Sequence, residues 1–331
     1  MKHSNISIFV AHIGCPNMCS FCNQHSISGS RTVPSGDDVR RICSSALEEV
    51  PCRENTEIAF FGGSFTAIER NYMTELLSAA AEFVGNGKFS GIRISTRPDC
   101  IDEEILALLK GYGVTAIELG AQSMSDEVLS ANNRGHTAED VRRASRLIKS
   151  HGFELGLQMM VGLYKSTESL EYMTMSEFIA IHPDTVRIYP TVVIEGTALA
   201  ELYQSGKYNL YNFDKAVEIC SSILYMFEFV GIRVIRVGLH ASDEVDGKAI
   251  AGFYHPAFRE LCEGEIFRRT IDNALSGKVG RFEIAVARKS VSKAVGQNKR
   301  NIGYFSSVGK EIKIIPDDRL SGYGISIKEV K

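Results

Sequence analysis

The chain has 331 residues, of which 44% are hydrophobic and 23% charged, with a formal net charge of -3. That length suits one large domain and a small one around a sizeable core, with the charge balance of an ordinary soluble protein. No run of about 18 apolar residues occurs, so no membrane span or membrane partner is expected. MKHSNISIFVAHIGC lacks a signal-peptide core and a small-residue cleavage site, which makes the cytosol the expected location.

In chain order, short apolar runs alternate with amphipathic stretches. Strands are expected at Ile6–Ala11, Glu57–Phe61, Gly91–Ser95, Ala116–Leu119, Glu154–Met160, Val186–Tyr189 and Arg233–Val237. Helices are expected at about 36–50, 69–84, 102–110, 138–150, 167–180 and 213–229. IDEEILALLKGYG opens on acids and stops at glycine, and Thr137 with Asp140 makes a capping box. This alternation predicts an α/β fold of parallel strands with helical crossovers, a partial (β/α)6-type barrel. An open doubly wound sheet is the second architecture compatible with it. Near residue 240 the periodicity ends, and 240–258 is rich in glycine, histidine and acid. We read 1–240 as the barrel, 241–277 as an extension or connector, and 278–331 as a small α+β domain.

Eight cysteines are present, three of them within HIGCPNMCSFCNQHS. A disulfide framework is disfavoured in the cytosol, and a tight group suggests metal. The scattered five read as buried apolar residues, though Cys100 follows Pro98–Asp99 close to the expected rim. Cys15, Cys19 and Cys22 are spaced C-x3-C-x2-C. Thiolates hold both iron–sulfur clusters and structural zinc. Three local cysteines suit a cluster with one open iron, whereas His12 or His25 is near enough in sequence to complete a zinc site.

In a parallel barrel, functional groups gather where strands end. Gly62–Gly63–Ser64 lets backbone approach a ligand, or simply makes a tight turn. Ser95 and Arg97 end the third run, where Arg97 suits a carboxylate, a phosphate or solvent. Glu118, inside an apolar strand, is expected to face a polar lumen or a base. Gln122 follows it, and Arg134 opens the next helix. Met160 ends the fifth run, and Tyr189 suits either stacking or the core. His240 and HPAFRE (255–260) are expected to line the open bottom or substrate side of the barrel, while His255 before proline reads as loop packing and is assigned no role.

C-x3-C-x2-C at the end of a first strand, with aromatic Phe21 before the last cysteine, resembles the signature of the radical S-adenosylmethionine (SAM) superfamily. The resemblance implies a 4Fe–4S cluster on Cys15, Cys19 and Cys22, whose open iron binds SAM. It implies a 5′-deoxyadenosyl radical and an electron donor of flavodoxin or ferredoxin type. It also implies SAM contacts by Phe21, Gly62, Gly63, Ser64, Ser95, Arg97, Gln122, Arg134, Met160 and Tyr189. STRPD (95–99), the segment 118–156 with its RGHT, and VRIYPTVVIEGTALAELYQSGKY (186–208) resemble the radical SAM half of the catalytic Elongator subunit, which modifies the wobble uridine of tRNA. A looser kinship links the chain to oxygen-independent coproporphyrinogen oxidase. It departs from Elongator in its shorter first cysteine gap, and with no acetyl-CoA loop and little length after the barrel in the residues read, an acetyltransferase domain is not expected.

The tail from Lys278 carries 12 lysines and arginines against 5 acids, a formal +7. Residues 282–315 parse as strand, helix, turn, helix, strand. VSKAVGQNKRNI resembles the helix–loop–helix of a KH module, with Gly296 in place of the first loop glycine and Lys299 where the second would stand. Lys293, Gly296, Lys299 and Arg300 are therefore candidate nucleic-acid contacts. The leading expectation is a radical SAM enzyme acting on an RNA base. The alternatives are a radical SAM enzyme acting on a small metabolite or peptide, and a non-catalytic zinc and RNA-binding protein.

Overall fold

The computed structural model describes residues 4–10, 15, 18–22, 33–239 and 247–330. Seven strands form one parallel sheet: β1 (Ser4–Val10), β2 (Thr56–Gly62), β3 (Gly91–Thr96), β4 (Val114–Gln122), β5 (Glu154–Val161), β6 (Thr185–Pro190) and β8 (Arg233–Val237). Their spatial order, β1-β2-β3-β4-β5-β6-β8, follows the sequence. The order never reverses, so the sheet has no switch point, and the doubly wound alternative falls. Successive same-handed crossovers put the helices on one side and curl the sheet into a partial barrel.

The crossover helices are α1 (Gly36–Glu49), α2 (Arg70–Ala81), α3 (Glu103–Gly111), α4 (Asp126–Ala131), α5 (Ala138–Ser150), α6 (Glu168–Ile181), α7 (Ala198–Gln204) and α8 (Phe213–Phe229). Their starts are set locally. Ser35 and Thr137 form capping boxes with Asp38 and Asp140, and Asp102 accepts from the Ile105 N–H. The outward strand residues, such as Ile92, Ile94, Leu155, Leu157, Val186 and Ile188, pack with Leu76, Val141, Phe178 and Phe227 in the main core. Turning these apolar side chains outward leaves the polar partners of the alternation facing the lumen. β7 (Val192–Ile194) pairs antiparallel with β9 (Ala249–Gly252), across the segment that showed no periodicity.

α9 (Phe258–Ala274) leads to β10 (Gly280–Val286), α10 (Val291–Val295), α11 (Arg300–Ser307), β11 (Lys310–Pro316) and β12 (Ile325–Val330). The expected strand–helix–turn–helix–strand order is present, and β12 is an addition. β10 lies between a parallel β11 and an antiparallel β12. The unit's core contains Phe282, Ile284, Val286, Ala294 and Phe305, together with Phe267, Ile271 and Leu275 of α9. Ile266 and Phe258 of the same helix belong to the main core. α9 thus serves both cores, and a boundary at 278 falls just after it. No helix among the described residues is long and apolar enough to cross a membrane.

Candidate active site

The C-terminal ends of β2, β3 and β4 and the loop after β1 enclose a cleft of about 180 Å³. Cys15, Cys19, Phe21, Cys22, Gly62, Gly63, Ser64, Ser95, Arg97, Gln122 and Arg134 line it. Met160 and Tyr189 do not. They are register partners on the lumen face of β5 and β6, further round the barrel.

Neighbouring elements pin the cysteine loop. Ser20 is buried, and its N–H and hydroxyl donate to Asn132 O and Oδ1 at 3.1 and 2.7 Å. Its carbonyl accepts from the Leu199 N–H at 2.7 Å. Asn132 in turn donates to Val128 O and Tyr164 O. Phe21 packs with Val193, Leu199 and Tyr208. The Cys22 N–H donates to Cys19 O at 3.1 Å, and Cys15 Sγ lies 3.7 Å from Ser64 Oγ. None of the eight cysteines is in a disulfide.

On the opposite wall, Gly62 adopts φ 115°, and the Gly63 N–H donates to Val10 O, holding the turn against β1. Arg97 is buried and pairs with Asp99 through Nε and Nη2, both at 2.9 Å. Burial opposes its charge, but Asp99 more than compensates and holds its pKa above the usual value. Burial pushes the neighbouring Cys100 thiol up. Gln122 follows a slip in the β4–β5 register, at φ 67°, a conformation that costs a non-glycine residue energy. Arg134 donates from Nη1 to Cys19 Sγ at 3.0 Å and from Nη2 to Gly120 O. Gly120 leaves space for this, because a Cβ there would lie 3.0 Å from Gln122 Nε2 and 3.4 Å from Arg134 Nη2. His136 is held neutral, its pKa pushed down to about 4 by burial first and then by Arg134 and Arg97.

Three buried polar atoms around this cleft have no partner among the described residues: Arg97 Nη1, Gln122 Oε1 and Arg134 Nε. Two donors and an acceptor beside three thiols and a glycine turn fit a zwitterionic, hydroxyl-bearing ligand such as SAM next to a cluster. Thr96, at the expected strand-end rim, lines the cleft as well; the sequence reading missed Met18, Gly120 and Gln158, which also line it, and the Ser20–Asn132 anchor. Met18, Ser20 and Gln158 sit beside motif residues, so position alone could have flagged them. Asn132 had no such signal. His12, His25 and His240 lie outside the described residues. His255 packs as expected, Nδ1 accepting from the Ala257 N–H and the ring facing Phe213.

Of the tail candidates, Lys293 pairs with Glu263 at 2.9 Å and Arg300 with Asp214 at 2.8 Å, both on barrel-packed helices. A phosphate would have to compete with those carboxylates. Gly296 and Lys299 take positive φ values of 77° and 61° in the turn between α10 and α11. Gly296 and Arg300 line a separate groove of about 660 Å³ against α8 and α9.

Two family descriptions match the chain in succession: the Radical SAM superfamily over residues 10–174 and the Radical_SAM C-terminal domain over residues 183–268. The chain belongs to the radical SAM superfamily of enzymes, which work with a 4Fe–4S cluster and SAM. Within it, the chain is 30% identical to the tRNA uridine(34) acetyltransferase of Methanocaldococcus infernus over 216 residues, 59% of this chain and 40% of that one. It is 34% identical to human Elongator complex protein 3 over 193 residues, 52% and 35% of the two chains. It thus spans two fifths or less of these relatives. In fold it resembles M. infernus Elp3 with an N-terminal deletion, with a TM-score of 0.65 and 22% identity over 81% of this chain and 63% of that one. Escherichia coli coproporphyrinogen III oxidase gives a TM-score of 0.51 and 16% identity over 82% and 75%. The family expectation is borne out, and the non-catalytic zinc reading gives way to it.

Proposed function

We propose that this enzyme reductively cleaves SAM and uses the resulting radical on an RNA base, a tRNA uridine in the first instance. The carrying observation is the cleft in which Cys15, Cys19 and Cys22 face the glycine turn and the atoms of Arg97, Gln122 and Arg134 that have no partner among the described residues. When bound, the cluster supplies one electron to the sulfonium of SAM, and SAM supplies a 5′-deoxyadenosyl radical that abstracts hydrogen. Cys15, Cys19 and Cys22 are the residues to hold the cluster. Gly62 and Gly63 admit the ligand's amino end, and Arg97, Gln122 and Arg134 offer it hydrogen bonds. Ser20 and Asn132 keep the loop in place, and Phe21 seals it from the side. The setting we infer is the cytosol, with a flavodoxin- or ferredoxin-type donor.

Support for RNA comes from the Elongator-type relatives and the basic tail. The pairing of Lys293 and Arg300 with barrel acids favours a second reading, in which the tail is structural and the substrate is a small metabolite or peptide. The test begins with anaerobic reconstitution with iron and sulfide, read by absorbance and electron paramagnetic resonance, followed by detection of 5′-deoxyadenosine with dithionite. Cys19→Ser is expected to abolish both signals, and a colourless wild-type protein would sink the reading. A salt-dependent mobility shift with total tRNA supports the RNA substrate, and its absence supports the second reading.

A further inference from the structure

β8 meets β6 in two stretches separated by a slip. Thr185 and Val186 face Arg233 and Val234, but Arg187 and Ile188 face Arg236 and Val237. Ile235 is the extra residue. Under strict alternation Arg236 would share the outward face with Val234. A one-residue bulge reverses that and re-aims the side chain. Val234 and Val237 both enter the main core, while Arg236 lies toward Arg187, Tyr189 and Glu118 on the lumen side.

Arg236 is half-buried there, and among the described residues no carboxylate lies within ion-pair distance of it. Glu118 is already taken. Arg187 holds both its oxygens, at 2.6 and 2.8 Å, Gln158 donates to it at 2.9 Å, and Arg93 lies at 3.4 Å. Burial, and then the Arg187 charge, hold the Arg236 guanidinium below its usual range. A half-buried cation that meets no carboxylate among the described residues costs stability, and a bulge that enforces one is a feature rather than a packing accident.

Position suggests what completes it. Gln158, Arg187 and Arg236 are successive register neighbours across β5, β6 and β8. Gln158 lines the cleft, and β8 is an edge of the seven-stranded sheet. The row therefore runs from the cleft to the sheet edge across two strand spacings, about 10 Å. Enzymes that work on a base extrude it from its strand and hold the backbone beside it. A guanidinium fork suits a phosphate oxygen pair.

We propose that Arg236, with the Tyr189 side chain beside it, is an anion subsite for a substrate phosphate next to the nucleotide whose base enters the cleft. This rests on the RNA reading above. The test uses the full chain, its Arg236→Gln variant and Arg187→Gln, with uridine, uridine 5′-monophosphate, succinate and total tRNA as probes. Wild type is expected to bind the monophosphate more tightly than uridine, and Arg236→Gln to erase that difference. The variant is also expected to bind tRNA about tenfold more weakly, with a salt slope lower by about one. Its melting temperature should stay level or rise, whereas Arg187→Gln should melt several degrees lower. An Arg236→Gln protein that melts as low as Arg187→Gln makes the residue structural and overturns the proposal. So does equal binding of monophosphate by wild type and variant. An Arg236-dependent response to succinate alone overturns the phosphate assignment. If wild type shifts no tRNA, the RNA reading fails, while the monophosphate comparison still decides the subsite.

Discussion

Arg187 in the barrel lumen and Arg300 on the C-terminal unit each meet a carboxylate, at 2.6 and 2.8 Å. The Arg187 and Glu118 side chains are 11% and 1% exposed, whereas those of Arg300 and Asp214 are 54% and 72% exposed. Distance therefore says little about what a pair does. In the lumen, Glu118 is shared by Arg187, Arg93 and Gln158, and Arg93 also reaches Glu57 and Glu154. That network fixes side chains beside the cleft because leaving any member unpaired there is costly. On the C-terminal unit, Arg281–Glu311 and Arg288–Asp318 are solvent-exposed pairs of small individual worth, and Asp317 holds Arg319 in the same way from a more sheltered position. They also show that the tail's formal charge overstates the cations free to meet phosphate.

Breaking the lumen side of this contrast should have the largest effect. Arg187→Ala removes the two short charged hydrogen bonds to buried Glu118, leaving it Gln158 and the more distant Arg93, and is expected to cost about 3–5 kcal/mol by urea denaturation. A loss below about 1 kcal/mol would erase the distinction between the two regions. Next comes Glu171 on α6, a buried carboxyl that accepts from the Gly162 N–H at 2.5 Å. Burial raises its pKa from 4.5 to about 7. The folded protein keeps a proton that the unfolded chain has lost, so this group's stabilising contribution is full below about pH 4.5. It is lost as pH rises through about 7. Glu171→Gln keeps the acceptor and removes the titration. It should stabilise by about 2–3 kcal/mol at pH 8 and hardly at all at pH 4.5. Equal effects at both values would rule out titration of this residue as the cause.

Asn132→Ala sharpens the contrast at the cleft, since it removes the partner of Ser20 and two carbonyl contacts. A loss of about 1–2 kcal/mol is expected, with a lower iron content after reconstitution. Unchanged iron would show that the cysteine loop holds its shape without this anchor. Arg300→Ala should be the mildest, below about 1 kcal/mol and weaker still in high salt. A salt-independent loss of several kcal/mol would mean that this pair carries the docking of the C-terminal unit.

Much of the architecture was legible from local signals. Arg233–Val237 is reproduced to the residue, and the other six strands to within a few residues. Thr137–Asp140 caps α5 as read. These are decided within one turn or one strand, by alternation, capping and glycine stops. α4, α7 and α9 went unread because they are short or lack clean periodicity, and their faces are defined only by what they pack against.

By itself, the sequence determined the three-cysteine loop, the strand-end series and the parallel alternation, because each is encoded by neighbours in the chain. Only the tertiary structure decided partners. Glu118 was expected to meet a base, but that the base is Arg187, 69 residues on, depends on β4 and β6 flanking β5. The pairing of Lys293 and Arg300 with barrel acids, the Ser20–Asn132 anchor and the inward aim of Arg236 are likewise products of register and packing. A one-residue bulge reverses a side chain's face without altering the local pattern that a strand is read from, which is why Arg236 was invisible until β8 was seen beside β6.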